Sequence, residues 1–158
     1  MPPKFDLTVA AIAEAGGRFL FVQERAARRV VLNQPAGHLE PGESLVEAVV
    51  REALEETGRE FRPESLTGIY RWEGPAGRTV LRVAFAGRVG EPVSGAVLDR
   101  AIIRTLWLDR HELEFRVAEH RSPLVLRCVD DYLRGVRHPL DLLKQVEHDS
   151  LQPRQATG

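Results

Sequence analysis

The stretch Gly37–Gly58, GHLEPGESLVEAVVREALEETG, contains the signals that decide the fold. Ser44 followed three residues later by Glu47 is a capping-box pattern, in which each side chain satisfies a backbone N–H group of the first helical turn. Gly58 supplies the end, because a residue without a Cβ atom enters the left-handed cap at little cost. The stretch therefore predicts one helix between Ser44 and Gly58.

The predicted helix has an apolar face and an acidic face. Its apolar face, an arc of roughly 100°, consists of Val46, Val50, Ala53, Leu54 and Thr57. On the opposite side the spacing places Glu52, Glu55 and Glu56 together, with Cβ atoms ~5–6 Å apart. Arg51 can lie between Glu47 and Glu55, but one guanidinium group does not neutralise all of these carboxylates. A Mg²⁺ ion would do so, and a solvated acidic face paired with Arg51 is the alternative.

Seven residues of the stretch match the fixed positions of the Nudix box. They are Gly37, Glu43, Arg51, Glu52, Glu55, Glu56 and Gly58. With each residue type near a base rate of ~7%, seven matches at one register have a chance on the order of 10⁻⁸. Arg59 departs from the pattern, which usually has an apolar residue there. The chain therefore resembles the Nudix hydrolases, and further stretches resemble a phosphatase of that family. These stretches are Asn33–Glu40, Leu45–Ala48, Glu55–Gly58 and Arg121–Val125.

Periodicity and turn residues predict the remaining elements. The predicted strands are Phe5–Ala13, Arg18–Arg25, Val30–Leu32, Leu66–Glu73, Arg78–Gly87 and Ala101–Leu108. The predicted later helices are Arg110–Phe115, a segment from Leu124 that ends at Gly135, and Leu140–Val146. We interpret Arg62–Ser65 as a linker and Gly87–Asp99 as a loop. Apolar strands need cover on two faces, so this order predicts helices on both sides of a mixed sheet.

The length fits one domain. We assign residues 1–148 to it and expect residues 149–158 to be a polar, disordered tail. The resemblance implies the same fold, a Nudix-type α/β/α sandwich with a mixed β-sheet.

Composition limits the partners and the compartment. Lys and Arg together number 22 against 23 Asp and Glu, so the chain offers no overall attraction to a nucleic acid. No apolar run is long enough for a membrane span or a signal peptide. Cys128 is the only cysteine, so it cannot form an intrachain disulfide. A reducing cytoplasm suits such a chain, and we interpret Cys128 as a buried structural thiol.

The resemblance also implies the metal ligands. Glu52 and Glu56 would be the main ligands of Mg²⁺, or of Mn²⁺. Glu55 would add an oxygen directly or through water, and the carbonyl oxygen of Gly37 would complete the shell. Arg51 would hold Glu52 by hydrogen bonding.

The general base varies within the family, and the sequence leaves it open. Glu52 can serve, as can an acidic residue of a later loop, for which Asp99 and then Glu91 are the candidates. The remaining carboxylate of the motif, Glu43, would support the site from outside.

Candidate substrate contacts lie mostly on the later strands, with Arg25 at the end of an earlier one. Tyr70 and Trp72 share one face of a strand and could stack on a base, although packing is an equal alternative. Arg71 and Arg82 could contact phosphate from the cleft, and Arg25 flanks its mouth. A solvated charge is the alternative for each arginine.

The resemblance implies a Mg²⁺-dependent hydrolase that cleaves phosphoanhydride bonds of small nucleoside or pyrimidine di- and triphosphates. Hydrolysis of ADP-ribose or another dinucleoside-type substrate is a second possibility. A binding module without turnover is a third, although the box keeps every carboxylate. The sequence leaves open whether the chain is a monomer or a homodimer.

Overall fold

The computed structural model describes residues 4–146, so the tail expected at residues 149–158 lies outside the described residues. The strands are β1 (Lys4–Ala15), β2 (Arg18–Ala26), β3 (Arg29–Asn33), β4 (Ala36–His38), β5 (Arg59–Glu73), β6 (Arg78–Pro92) and β7 (Ile102–Leu108). The helices are α1 (Leu45–Thr57), α2 (Arg110–Phe115) and α3 (Leu124–Leu133). Short 3₁₀ turns cover Pro75–Gly77, Val117–Glu119 and Leu140–Leu142.

The strands form a mixed sheet in which β1 connects two parts. On one side β1 pairs antiparallel with β4 and parallel with β6, and β5 pairs antiparallel with β6. On the other side β2 pairs antiparallel with β3 and with β7. A short antiparallel pairing at the hairpin of β1 and β2 joins the two parts.

Alternate residues of β1 and β6 point into two separate cores. Val9, Ala11 and Phe85 pack with the apolar residues of α1. Ile12 and Ala84 pack instead with the buried residues of α3. Because helices cover both faces, the predicted α/β/α sandwich with a mixed sheet is confirmed.

Helix α1 begins and ends as predicted, but its buried face differs. The Ser44 hydroxyl accepts from the Glu47 N–H at 3.1 Å, and the Glu47 carboxylate accepts from the Ser44 N–H at 2.7 Å. Gly58 adopts a left-handed conformation with φ of 66°. The prediction that Leu54 faces the core is wrong, since it is 40% exposed. Glu56 is buried instead, because this flank of α1 lies along β4.

Three boundaries predicted from the sequence are wrong. Residues 62–65 are not a linker, because β5 runs through them and stays paired with β6. The segment after Gly87 is not all loop, because β6 continues to Pro92. Residues 140–146 contain only a 3₁₀ turn in place of a helix. Leu140 and Leu143 pack against the core, but Leu142 and Val146 lie exposed, so the apolar side chains do not form one buried helical face.

Arg59 has a packing role of its own at the start of β5. Its guanidinium lies 5.8 Å from the ring centroid of Trp107 and donates to the Gly90 carbonyl oxygen at 2.8 Å. The stacked guanidinium thus takes the place of the apolar residue usual at this position. No helix among residues 4–146 has the length and apolar character needed to cross a membrane.

Candidate active site

A cleft of about 1200 Å³ opens beside the short strand β4. The lining residues come from α1, from β4 and from one face of β1, β5 and β6. The turn between β2 and β3 and the segment before α3 complete the lining. Gly37, Glu52 and Glu56 line the cleft at one end, and Trp72 and Arg78 lie among its other lining residues. Three of the seven box residues therefore share one cavity with residues that are far from them in sequence, whereas Glu43, Arg51, Glu55 and Gly58 do not line it.

Gly37 leaves space for a carboxylate. A Cβ atom at this position would lie 2.1 Å from both Cδ and Oε1 of Glu52, and 2.4 Å from Oε2. The carboxylate of Glu52 therefore rests where a side chain would otherwise stand, directly against the backbone of β4. Its burial raises the pKa of Glu52, while a hydrogen bond from Arg51 acts in the opposite direction.

Arg51 holds the acidic cluster in place. Its Nε and Nη2 atoms donate to Glu43 at 2.9 and 2.6 Å, and Nη1 donates to Glu52 at 2.9 Å and to Glu55 at 3.3 Å. Nη2 also donates to the carbonyl oxygen of His38 at 3.0 Å. The sequence predicted that Arg51 lies between Glu47 and Glu55. The Glu47 carboxylate instead forms the helix cap, and Glu43 is the ion-pair partner of Arg51 in its place.

Glu56 is the most buried of the three acidic residues. It is 7% exposed, and its Oε2 atom accepts from the Ala36 N–H at 2.9 Å. Burial is the main cause that raises the pKa of Glu56 to about 9, and the nearby carboxylates of Glu24, Glu52 and Asp99 contribute to the same rise, while the hydrogen bond from Ala36 opposes it. A second positive charge at this end of the cleft would relieve that repulsion.

The donor set suits a hard divalent cation. Carboxylate oxygens and a backbone carbonyl are the ligands that Mg²⁺ prefers, and Glu52 and Glu56 both border β4 where Gly37 lies. Within residues 4–146 no three His, Cys, Asp or Glu side chains are grouped as they would be around a bound metal ion. The carboxylates are turned toward Arg51 and Ala36 instead.

Of the two acidic residues expected from a later loop, one lies at the cleft. Asp99 lines it, and its own N–H donates to the Glu55 carbonyl oxygen at 2.9 Å. The Asp99 Oδ1 atom accepts from the Ala101 N–H at 2.9 Å. Glu91 lies exposed on β6 and does not line the cleft.

The candidate substrate contacts divide into two groups. Trp72, Arg25 and Arg82 line the cleft. Tyr70 does not: it packs in the core beside α3, and its hydroxyl donates to Asp131 at 2.9 Å. Arg71 lies exposed, pairs with Glu73 and is also outside the cleft. The period-two pattern correctly predicted that Tyr70 and Trp72 share a strand face. It could not show that α3 covers the part of this face where Tyr70 lies.

Sequence reasoning missed several buried polar residues of the cleft. Glu24 is 6% exposed and pairs with Arg121, and Asn33 is 4% exposed. The only signal for Glu24 was a charged residue close behind the apolar run Phe19–Val22 of β2, from which Gln23 alone separates it. Asp6 also lines the cleft, where it pairs with His38 at 3.1 Å and with Arg78.

Comparisons with known proteins find relatives that match most of this chain. A model of the NUDIX domain family matches residues 4–128. Phosphatase NudJ of Escherichia coli K12 is 36% identical over 140 residues, which cover 89% of this chain and 91% of that protein. Phosphatase NudJ of Shigella boydii matches with the same identity and coverage.

Solved structures show the same architecture. A NUDIX hydrolase from Nitrosomonas europaea superposes with a TM-score of 0.87 at 46% identity, covering 90% of this chain and 98% of that one. A MutT protein from Methanosarcina mazei superposes with a TM-score of 0.62 at 27% identity, covering 85% and 94%.

Proposed function

The chain belongs to the Nudix hydrolase family, and from that premise we propose that it uses Mg²⁺ to cleave phosphoanhydride bonds of small nucleoside or pyrimidine di- and triphosphates. The observation that supports this most strongly is the position of Glu52 against Gly37, with Glu56 buried beside the same strand. An acidic pair held at the end of a cleft is suited to binding cations that accompany a phosphate chain. The curated relatives bear the name of a phosphatase, which is consistent with release of phosphate.

Glu52 and Glu56 would hold the cation, Glu55 would add an oxygen, and the Gly37 carbonyl would complete the set. When bound, Mg²⁺ neutralises charge on a phosphate chain and makes an attacking water more acidic. Mn²⁺ offers the same kind of coordination. Arg51 keeps Glu52 in place, and Glu43 keeps Arg51 in place through two hydrogen bonds.

Asp99 is our candidate to take the proton from the attacking water. One of its oxygens is engaged by the Ala101 N–H, and its backbone is anchored to the Glu55 carbonyl oxygen at the end of α1. This arrangement holds an exposed carboxylate at the cleft, within reach of water. Glu52 is the alternative base, and Asp99→Asn separates the two, because a loss of kcat of at least about tenfold is expected only if Asp99 is the base.

Exposed cations at the cleft mouth would receive the phosphate chain. The Arg25 side chain is exposed there, and it makes no hydrogen bond or ion pair to any residue between 4 and 146. Trp72 offers an aromatic surface farther along the sheet. We propose a small-molecule substrate in place of a nucleic acid, because the charges of the chain are balanced, and a reducing, cytoplasmic location, which suits a single buried cysteine.

A phosphate-release screen over nucleoside di- and triphosphates tests the proposal. Wild-type chain should release phosphate only when Mg²⁺ or Mn²⁺ is present. Glu56→Gln should keep the fold, because the amide oxygen can still accept from Ala36, but should lower kcat by at least about 10². Glu60→Gln, an exposed residue of the following strand, is the matched control. Activity of Glu56→Gln equal to that of the control would refute the metal assignment.

The size of the cleft supports a second candidate. At about 1200 Å³ it exceeds the roughly 300–1,000 Å³ usual for one small ligand. A dinucleoside-type substrate such as ADP-ribose would therefore also fit. Mass analysis of the products distinguishes the two, since orthophosphate or pyrophosphate indicates the first and paired monophosphates indicate the second.

A further inference from the structure

Three side chains of neighbouring strands form one row on the floor of the cleft. Asp6 on β1 is directly opposite Val80 on β6, and Val80 is directly opposite Trp72 on β5, so the three share one face of the sheet. All three line the cleft. Neighbouring strands are about 4.8 Å apart, so Asp6 and Trp72 are about 10 Å apart with Val80 between them.

Arg78 lies on the β1 side of this row. It is two residues before Val80 on the same face of β6, and its Nε atom donates to a carboxylate oxygen of Asp6. Its side chain is 47% exposed and lines the cleft. The Nη1 and Nη2 atoms make no hydrogen bond to any residue between 4 and 146. Asp6 therefore holds the guanidinium in place and leaves much of it open to the cleft.

Trp72 lies on the opposite side of the row. A Cβ atom at Gly74 would be only 3.0 Å from the Cη2 atom of Trp72, so the indole extends beyond its own row to the level of Gly74. Gly74 is the cross-strand partner of Arg78, and its N–H donates to the Arg78 carbonyl oxygen at 2.8 Å. The indole and the Arg78 side chain thus cover the same two rows, on opposite sides of Val80. We call the space between them, bounded by Trp72, Val80, Arg78 and Asp6, the outer slot.

The outer slot suits a nucleobase in size and chemistry. Stacked bases are about 3.4 Å apart, so a ring held between two flat groups needs about 7 Å. The backbones that carry the two groups are about 10 Å apart, which leaves room for such a ring. Indole and guanidinium groups both stack on aromatic rings, and Val80 supplies an apolar floor.

A phosphate group suits the outer slot less well. The carboxylate of Asp6 balances the charge of Arg78, and the hydrogen bond from Arg78 holds the pKa of Asp6 below its ordinary value. A phosphate that approaches Arg78 therefore also approaches a negative charge. Arg25 at the cleft mouth has no such counterion among residues 4–146 and is better suited to phosphate.

The outer slot also lies at a suitable distance from the acidic end of the cleft. Gly37, against which Glu52 rests, is directly opposite Val9 on β1. Asp6 is three residues from Val9, which corresponds to about 10 Å along the strand. The ribose and first phosphates of a nucleotide can span this distance, so a base in the slot leaves the phosphate chain near Glu52.

We propose that Trp72 and Arg78 hold the base of a nucleotide between them and that Asp6 keeps Arg78 in position. These contacts use the faces of the ring, so their loss weakens the binding of a nucleotide but not of a phosphate chain alone. The inference rests on the proposed function only for the identity of the ligand as a nucleotide.

Binding of adenosine 5′-monophosphate and of ribose 5-phosphate, measured by titration calorimetry with Mg²⁺ present, tests the proposal. The two molecules share a sugar phosphate and differ in the base, and neither contains an anhydride to hydrolyse. Wild-type chain should bind the nucleotide at least about fivefold more tightly, the lower end of the effect of stacking one base on an aromatic side chain. Equal dissociation constants, or no binding of either molecule, would overturn the proposal.

Variants on the two sides of the slot locate the effect. Trp72→Leu should bring the ratio of the two dissociation constants close to one, and Arg78→Met should lower it at least about twofold. Trp107→Phe and Arg88→Met are the matched controls, because Trp107 stacks with Arg59 and Arg88 is an exposed residue of β6, both outside the cleft. Should Trp72→Leu fail to fold, the exposed Arg78 decides alone. An unchanged ratio in either slot variant overturns the proposal.

Asp6→Ala separates a contact with the base from a contact with phosphate. Loss of the carboxylate frees the guanidinium of Arg78, so the affinity for adenosine 5′-monophosphate should fall about as much as in Arg78→Met. If Arg78 bound phosphate, removal of the neighbouring negative charge would strengthen nucleotide binding. Unchanged or stronger binding in Asp6→Ala would therefore overturn the proposal. Inorganic pyrophosphate should bind Arg78→Met as it binds wild-type chain, and a loss as large as that of the nucleotide would also count against the slot.

Phosphate release distinguishes a failure of this proposal from a failure of the proposed function. A chain that binds with the expected preference but hydrolyses no nucleotide refutes the proposed function alone. A chain that hydrolyses nucleotides but binds ribose 5-phosphate as tightly as adenosine 5′-monophosphate refutes the outer slot alone.

Discussion

Replacing Gly37 by alanine should inactivate the enzyme without unfolding it. The new Cβ atom would lie 2.1 Å from Cδ of Glu52, whereas two non-bonded carbons need about 3.5 Å. The carboxylate therefore has to retreat by more than about 1 Å. A displacement of about 1 Å at a catalytic group can lower the rate about 10²-fold, so we expect kcat to fall by at least that factor.

The same change should alter stability only slightly. Gly37 does not have a positive φ, so alanine fits its backbone, and lower freedom of the unfolded chain stabilises by about 0.4–1 kcal/mol. Against this stands the weakened hydrogen bond between Arg51 and Glu52, whose loss costs about 0.5–1.5 kcal/mol. The free energy of unfolding should therefore change by no more than about 1 kcal/mol.

Two measurements on the same preparation check this prediction. Urea denaturation gives the free energy of unfolding, and phosphate release from a nucleoside diphosphate at saturating Mg²⁺ gives kcat. Wild-type kcat in Gly37→Ala would show that the position of Glu52 against β4 is not needed for catalysis. A large loss of stability would show instead that Gly37 is required for the fold.

Three further changes concern stability. Gly87→Ala should lower the free energy of unfolding by about 1–3 kcal/mol, because the new Cβ would lie 2.1 Å from the Arg62 carbonyl oxygen, a backbone atom that cannot change rotamer as a side chain can. An unchanged urea midpoint would contradict this. Tyr70→Phe should lower it by about 1 kcal/mol through loss of the hydrogen bond to Asp131, and an unchanged melting temperature would count against that bond. Burial lowers the pKa of His120 in the folded chain. As pH falls, this histidine therefore binds its proton at a higher pH in the unfolded chain than in the folded chain. The free energy of unfolding should then decline below about pH 6.5, by at most about 1.4 kcal/mol per pH unit. In His120→Gln this part of the decline should be absent from urea midpoints measured between pH 7 and pH 5.

Much of the acidic end of the site could be predicted from the sequence because its signals are local. The capping box, the stop at Gly58 and the spacing of three glutamates all depend on helix geometry alone. The burial of Glu56 could not be predicted in this way. It depends on β4, a three-residue strand that is not among the strands predicted from the sequence and whose position is set by pairing with β1.

The substrate end of the cleft was harder to predict because it depends on packing between distant segments. Tyr70 and Trp72 lie on the same face of β5 and are both aromatic. Helix α3 nevertheless covers Tyr70, whereas Trp72 lines the cavity. Arg82 looked like any other strand arginine. Only the assembled sheet shows that it is buried between two amides contributed by residues 33 and 34.

Binding of Mn²⁺ followed by electron paramagnetic resonance tests the central claim most directly, because it does not depend on knowing the substrate. Wild-type chain and Glu60→Gln should remove free Mn²⁺ from solution, and the variant with both Glu52→Gln and Glu56→Gln should lose that binding while keeping a cooperative urea transition. Equal binding by the double variant and the wild-type chain would contradict the assignment of these carboxylates as the metal site.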